Sequence, residues 1–449
     1  MNRVYKYFLL FVTLFAIVSC STAVEHEIAQ VASPVFLSST PASGASGVKP
    51  GNVTISITYD KNVFFASQKK DQLLISNGGS IVKADVIGSS PTLVVEVNCP
   101  SRNTSYTLTV PEGLVTGPNA MPAPAVEVSF TTQGLDMQPV NTLIPEAQKV
   151  YDFLQATYEQ KTISGMMANV SWNVEESEQV YAWTGKYPAL NCFDYIHLKA
   201  SAEGSWINYG DITPVSDWWN AGGLVAAMWH WNVPASEGSE SLTTYKDETA
   251  FDIDKAFTEG TWEYQTVQAD LEKIAGYLQL LKNEGIPVIW RPLHEAAGGW
   301  FWWGKNADSF KKLWIQMFDY FKAQGLNNLI WVWTTETGDA DWYPGDQYVD
   351  VVGRDLYGNS AADCASQYQT VISEFGNKMV ALSECGAYVD TQSPLGLLSE
   401  QWTAGARWLW FMPWYDNEGA SLSHADKAWW QDAMSQSYVI SRDQLPSFK

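Results

Sequence analysis

Between residues 162 and 414 the sequence alternates eight times between β-branched or aromatic runs and stretches of helical periodicity or long loops. The strand-like runs are 162–166, 187–195, 223–230, 286–291, 329–334, 349–356, 379–384 and 407–414. Runs apolar on both faces read as buried parallel strands. The clearest helical pattern is 267–283, where Leu271, Ile274, Ala275, Leu278 and Leu281 fall on one face; 309–323 and 363–375 behave alike. Eight strand–helix units in about 300 residues are the count of a (β/α)8 TIM barrel. A doubly wound open sheet is the other solution. It needs a glycine-rich first turn for phosphate, and Ile163-Ser164-Gly165-Met166 offers none.

The chain before this region has a different composition. All 22 tryptophans lie between Trp172 and Trp430. Residues 33–133 instead carry period-two runs such as Val53-Thr54-Ile55-Ser56-Ile57-Thr58-Tyr59 and Val126-Glu127-Val128-Ser129-Phe130, separated by Gly, Pro, Asn and Ser. That pattern predicts a small all-β sandwich, joined near residues 134–141 to a barrel domain spanning 140–449. Its opening, Ser39-Thr40-Pro41-Ala42-Ser43-Gly44-Ala45-Ser46-Gly47-Val48, resembles that of a bacterial immunoglobulin-like domain. A sugar-binding module would present aromatic platforms, since pyranose CH faces stack on rings. With no Trp here, a spacer is the expected role.

The first twenty residues read as a targeting segment. Arg3 and Lys6 supply the positive end, 8–18 the apolar core, and Ile17-Val18-Ser19-Cys20 resembles a bacterial lipobox. The expectation is a lipoprotein anchored at Cys20 to a membrane, periplasmic or at the cell surface; a plain secretory signal is the alternative. The remaining cysteines share no metal or redox spacing. Residues 1–32 and 33–133 each balance to neutrality, so the net charge of -22 sits on 134–449. An acidic surface argues against nucleic acid and leaves neutral ligands open.

In such a barrel the chemistry sits at the C-terminal strand ends. These carry Asp194, then Trp229-His230-Trp231, then His294-Glu295 ahead of Gly299-Trp300-Phe301-Trp302-Trp303-Gly304, then Asp355 and Tyr357, then Glu384, then Trp410 and Trp414. Each has an ordinary reading alone: a helix cap, a core ring, a salt bridge between Arg291 and Glu295. Together they describe a mouth with two carboxylates, two histidines and aromatic walls, the equipment of glycoside hydrolysis. No strand-end lysine suggests a Schiff base, and His230 with His294 makes a thin metal site, so no metal and no cofactor are expected.

Arg291-Pro292-Leu293-His294-Glu295 with the aromatic run after it looks like the acid/base motif of glycoside hydrolase family 26. Leu382-Ser383-Glu384-Cys385-Gly386 resembles that family's nucleophile strand, and Trp229-His230-Trp231-Asn232 and Gly353-Arg354-Asp355-Leu356-Tyr357 also match. The resemblance covers about residues 140–440. It implies a retaining glycosidase, a β-1,4-mannanase ahead of a mixed-linkage β-glucanase or xylanase. Glu295 would be acid/base and Glu384 nucleophile; His230, His294, Trp300, Tyr357, Trp410, Trp414 and, less directly, Asp355 would bind substrate. Tyr357 would orient Glu384, Arg291 would support it, and Trp300 with Trp302 would desolvate Glu295. Retention predicts carboxyl groups roughly 5–5.5 Å apart. The expected partner is a neutral polysaccharide met by a monomer. A tethered polysaccharide-binding protein on a dead barrel is the reading from another class, and the intact glutamate pair argues against it. Loops 236–260 and 338–345 are long enough to wall a cleft.

Overall fold

The computed structural model describes residues 32–169, 172–388, 393–415 and 424–449; Cys20 lies outside them. Eight parallel strands close a ring: β1 (Thr162–Met167), β2 (Leu190–Asp194), β3 (Leu224–Trp229), β4 (Val288–Pro292), β5 (Leu329–Thr335), β6 (Val351–Tyr357), β7 (Met379–Gly386) and β8 (Trp410–Pro413). β8 pairs with β1 at Ile163↔Trp410, and β1 with β2 at Gly165↔Leu190, so no edge is left open. β1–β5, β7 and β8 are buried along their whole length, which is why they read as apolar runs rather than as alternation. This is the expected (β/α)8 barrel.

Helices cover the ring, and their starts are written in the sequence. Thr261 caps Trp262–Asn283, Asn306 caps Ala307–Ala323 and Ser360 caps Ala361–Phe375, each accepting a backbone N–H near the third helical position. Each buries an apolar stripe; Val267, Leu271, Ile274, Leu278 and Leu281 are at most 1 % exposed.

One register shift matters for the site. On β7, Arg354↔Leu382 is followed by Asp355↔Glu384, so Ser383 is an extra residue. Such a bulge re-aims the side chains beside it. Space for it comes from Gly353 on β6, where an added Cβ would lie 2.3 Å from Ser383 Oγ.

The N-terminal region is a sandwich of two four-stranded sheets, one with Gly51–Tyr59 and Thr92–Cys99 central, the other with Val126–Thr132 and Ser105–Val110 central. Alternate residues such as Val53, Ile55, Ile57, Val95 and Val128 form its core. The sandwich rests on the closed end of the barrel. Arg102 is ion-paired with Glu159, lies 5.2 Å from the Tyr158 ring centre, and donates from Nε to Gly376 O at 2.7 Å. Gly51 sits so close to Ser373 that a Cβ would fall 2.4 Å from its Cα. The join is fastened too, by Asp136 to Lys378 at 2.6 Å.

Candidate active site

At the open end, the strand termini bring the acidic residues together. One carboxylate oxygen from each of Glu295, Asp355 and Glu384 lies within 4.8 Å of the others. The cause is Arg291, buried on β4. It donates from Nη1 to Glu384 at 3.1 Å, from Nη2 to Asp355, and from Nε to Thr334 at 2.9 Å. Its ion pairs are thus with strands six and seven, not with Glu295 four residues on. Ser383 Oγ, projected by the bulge, donates to Asp355 at 2.8 Å. Tyr357 donates its hydroxyl hydrogen to the other oxygen of Glu384. Burial, and then the charge of Glu384, push the Tyr357 phenol well above its ordinary range, so it stays a donor.

No such hydrogen-bond donor meets the Glu295 carboxyl among the described residues. Its carboxyl is raised far above the ordinary glutamate range, first by burial and then by the charge of Glu384, with Arg291 opposing. Two neighbouring carboxylates in opposite environments, one clamped by donors and one desolvated, are the electrostatic split that separates a nucleophile from an acid. The backbone here is strained: Leu293 and Glu295 both adopt left-handed conformations (φ 51° and 52°).

The histidines form a second cluster. Asp194, fully buried at the end of β2, meets His230 Nδ1 at 2.6 Å and accepts the His230 backbone N–H at 3.2 Å. That leaves Nε2 of His230 as its free edge. The His294 ring stands edge-on to His230 with centres 4.3 Å apart. Burial, then His230 and Arg291, hold the His294 imidazole well below its usual range, hence neutral. Its Nδ1 is buried without a hydrogen-bond partner among the described residues.

Around these lie the rings. Trp300 is 43 % exposed, with its indole laid over Gly298, where a Cβ would sit 2.1 Å from the ring. Trp414 stands 5.7 Å from His230. Trp410 is corrected from the expected wall to the core: it is the first residue of β8, opposite Ile163, and 2 % exposed. A strand's mouth-facing position follows its end, so that place is filled by Trp414. Trp302 likewise packs beneath the loop against Trp231 and Phe251, with Nε1 donating to Trp231 O at 2.6 Å.

Several neighbours escaped the sequence reading. Phe301 packs on His294 (5.0 Å) and His230 (5.9 Å), and Tyr245 stacks on Phe301 at 5.9 Å. Tyr245 comes from the 236–260 loop, which is tied to the aromatic run by Lys246 N–H to Trp300 O at 2.8 Å. Glu336, just after β5, adds its charge near Glu295. His424 stands 5.5 Å from Tyr357. Of these, Phe301 stands in the aromatic run after Glu295, Tyr245 in a loop long enough to wall a cleft, and Glu336 directly after a strand, though none was singled out.

Comparison with known proteins agrees with this geometry. A family model described as glycosyl hydrolase family 26 matches residues 141–444, and one described as a bacterial Ig-like domain matches 30–132. A mannan endo-1,4-beta-mannosidase B from Piromyces sp is 35 % identical over 315 residues, covering 68 % of this chain and 53 % of the relative. The chain thus spans about half the length of the first curated relatives it matches. Among solved structures, the GH26 domain of an endo-beta-mannanase/endo-beta-glucanase from Prevotella bryantii is 39 % identical with a TM-score of 0.65, covering 69 % of this chain and 99 % of that one. A beta-mannanase from a symbiotic protist of the termite Reticulitermes speratus, complexed with gluco-manno-oligosaccharide, is 36 % identical with a TM-score of 0.62, covering 70 % and 98 %.

Proposed function

The chain belongs to glycosyl hydrolase family 26, and from that membership we propose that it is a retaining endo-β-1,4-mannanase acting on mannan, galactomannan or glucomannan. The observation that carries the mechanism is the approach of Glu295 and Glu384 oxygens to within 4.8 Å. So close an approach suits the carboxylate separation of about 5–5.5 Å found in retaining enzymes better than the ~6.5–9.5 Å of inverting ones.

Glu384, held by Tyr357 and Arg291, attacks the anomeric carbon while Glu295 gives its proton to the departing glycosidic oxygen. Glu295, now ionised, takes a proton from water, which displaces Glu384 and releases the sugar with net retention. His230 and neutral His294 contact the reacting sugar, while Trp300 and Trp414 stack on the chain.

The test is reducing-sugar release from locust-bean galactomannan, konjac glucomannan, lichenan and xylan. Release from the mannans above the other two supports the assignment; preference for lichenan or xylan overturns the substrate. Product sizes read endo or exo attack. Glu384→Ala should lose turnover and keep oligosaccharide binding, and wild-type rates in that variant would refute its role.

We further infer that the enzyme works tethered through a lipid at Cys20. Support for this is the sequence Arg3, Lys6 and Ile17-Val18-Ser19-Cys20 ahead of a neutral sandwich. Fatty-acid labelling of the full chain that vanishes in Cys20→Ala is the expected result, and an unlabelled wild type overturns it.

A further inference from the structure

Five large apolar side chains stand exposed at one end of the sandwich: Val35 (55 %), Phe36 (37 %), Leu37 (60 %), Phe64 (57 %) and Ile87 (73 %). Single apolar residues scattered over a surface need no explanation, but a group gathered at one end of a domain does. Backbone bonds bring the segments together. The Asp60 N–H donates to Val35 O at 3.0 Å, the Tyr59 N–H to Pro91 O at 2.9 Å and the Val63 N–H to Ser90 O at 3.0 Å. The chain's entry at 32–37, the turn ahead of the short strand Phe64–Phe65 and the turn 86–91 therefore share that end. It is the end away from the barrel, because the strand Gly51–Tyr59 begins against Ser373 and finishes here.

Charge is almost absent from it. Residues 32–37, 62–65, 86–91 and 113–121 carry none. Asp60 and Lys61 cancel each other at 3.4 Å, and the Lys61 ammonium is turned onto Ala32 O at 3.0 Å and Ser33 O at 3.2 Å. Such a surface gains by burying its side chains at the boundary of headgroups and acyl chains, not by attraction to anionic lipid. Position supplies the occupant. Cys20 precedes Ala32 by twelve positions, a path of at most roughly 40 Å, and Lys61 fastens Ala32 at this same end. A single acyl chain holds a protein only marginally, so a second contact adds to the attachment. The charge of -22 sits on the barrel domain, at the other end of the molecule, where an anionic surface would repel it.

We propose that the end of the sandwich bearing Val35, Phe36, Leu37, Phe64 and Ile87 seats in the interfacial layer of the bilayer that holds the Cys20 lipid. This rests on the anchor proposed above and not on the hydrolytic assignment. It gives the sandwich a task beyond spacing: it sets which way the mouth points, away from the lipid.

The test uses the full-length, lipid-bearing chain on phosphatidylcholine vesicles with and without phosphatidylglycerol. Cys99, Cys192, Cys364 and Cys385 are buried, so a thiol-reactive, environment-sensitive fluorophore reads one introduced site. We expect the label at Ile87→Cys or Phe64→Cys to shift to the blue and to be quenched by nitroxide-bearing lipid, to the same extent on both vesicles. At Met137→Cys, 61 % exposed near the join with the barrel, neither change should occur. Combining Val35→Ser, Leu37→Ser and Ile87→Ser should abolish the quenching at position 64 while Tm, lipidation and mannan hydrolysis stay unchanged. Vesicle-bound protein whose labels at 64, 87 and 137 respond alike overturns the seating and leaves the anchor standing. Quenching that requires phosphatidylglycerol also overturns it, since charge is then the cause. A chain that takes up no fatty acid and stays off the vesicles overturns the anchor and the seating together.

Discussion

Arg291 Nη1 lies 3.1 Å from Glu384 Oε2, so a residue of the fourth strand fixes the carboxylate of the seventh. The same guanidinium holds Asp355, and all three groups are under 8 % exposed at the side chain. Removing one member of a buried ionic set leaves the others uncompensated, at about 3–5 kcal/mol. Arg291→Gln should therefore lower Tm and cut kcat/KM at least a hundredfold. Arg291→Lys should recover little, because one ammonium cannot serve Glu384, Asp355 and Thr334 together. Thermal unfolding and kinetics on the same preparations check both.

Glu295 gives a pH prediction with a definite sign. Its carboxyl is raised in the folded state by burial and by Glu384. A raised acid binds its proton more tightly when folded, so it costs stability as pH climbs above the ordinary glutamate range, up to the folded value. Glu295→Gln should gain stability relative to wild type over that interval, and the gain should vanish below about pH 4. Wild-type kcat/KM should hold on the alkaline side beyond the usual carboxylate range. Activity of Glu295→Gln should fall by ~10²–10⁴. In Glu384→Gln, carbon-13 titration of Glu295 should move down, since the second cause of its shift is gone.

Gly353 and Ser383 should behave as one unit. A methyl at 353 has no space beside Ser383 Oγ, and overpacking of this kind costs about 1–3 kcal/mol. Gly353→Ala should lower both Tm and activity. Adding Ser383→Gly should restore part of the Tm and little activity, because Asp355 then lacks its 2.8 Å donor. A double-mutant cycle on Tm that shows strict additivity would contradict the account.

Three tryptophans of the barrel should separate by role. Trp300→Ala and Trp414→Ala should raise KM several-fold, as loss of about 0.5–1.5 kcal/mol of stacking implies, with small effects on Tm. Trp410→Ala should instead cost about 3–5 kcal/mol of stability, as a buried ring does.

The barrel could be read from the chain because parallel strands buried on both faces leave continuous apolar runs. Strand ends then follow, and with them the placement of Asp194, His230, Glu295, Tyr357 and Glu384 on one rim. What pattern cannot carry is register within an apolar run. Trp410 and Trp414 are both tryptophans of the last run, and only the strand's starting residue tells wall from core. The Ser383 bulge leaves no compositional trace. Tyr245 reaches Phe301 from a loop 56 residues upstream. The Arg102 contact with Glu159 joins two domains through one arginine, indistinguishable in sequence from any surface cation.

That last contact fixes a direction. The strand Gly51–Tyr59 starts against Ser373 at the barrel's closed end and runs roughly 30 Å. At its far end Asp60 holds the backbone of Val35 at 2.8 Å, and Lys61 that of Ala32 at 3.0 Å. The described chain therefore enters on the side of the docking contact opposite the mouth. The molecule is built as a nozzle on a stem. Between Ala32 and the mouth, distance is set by the length of two folded bodies fastened to each other through Arg102 with Glu159 and Asp136 with Lys378.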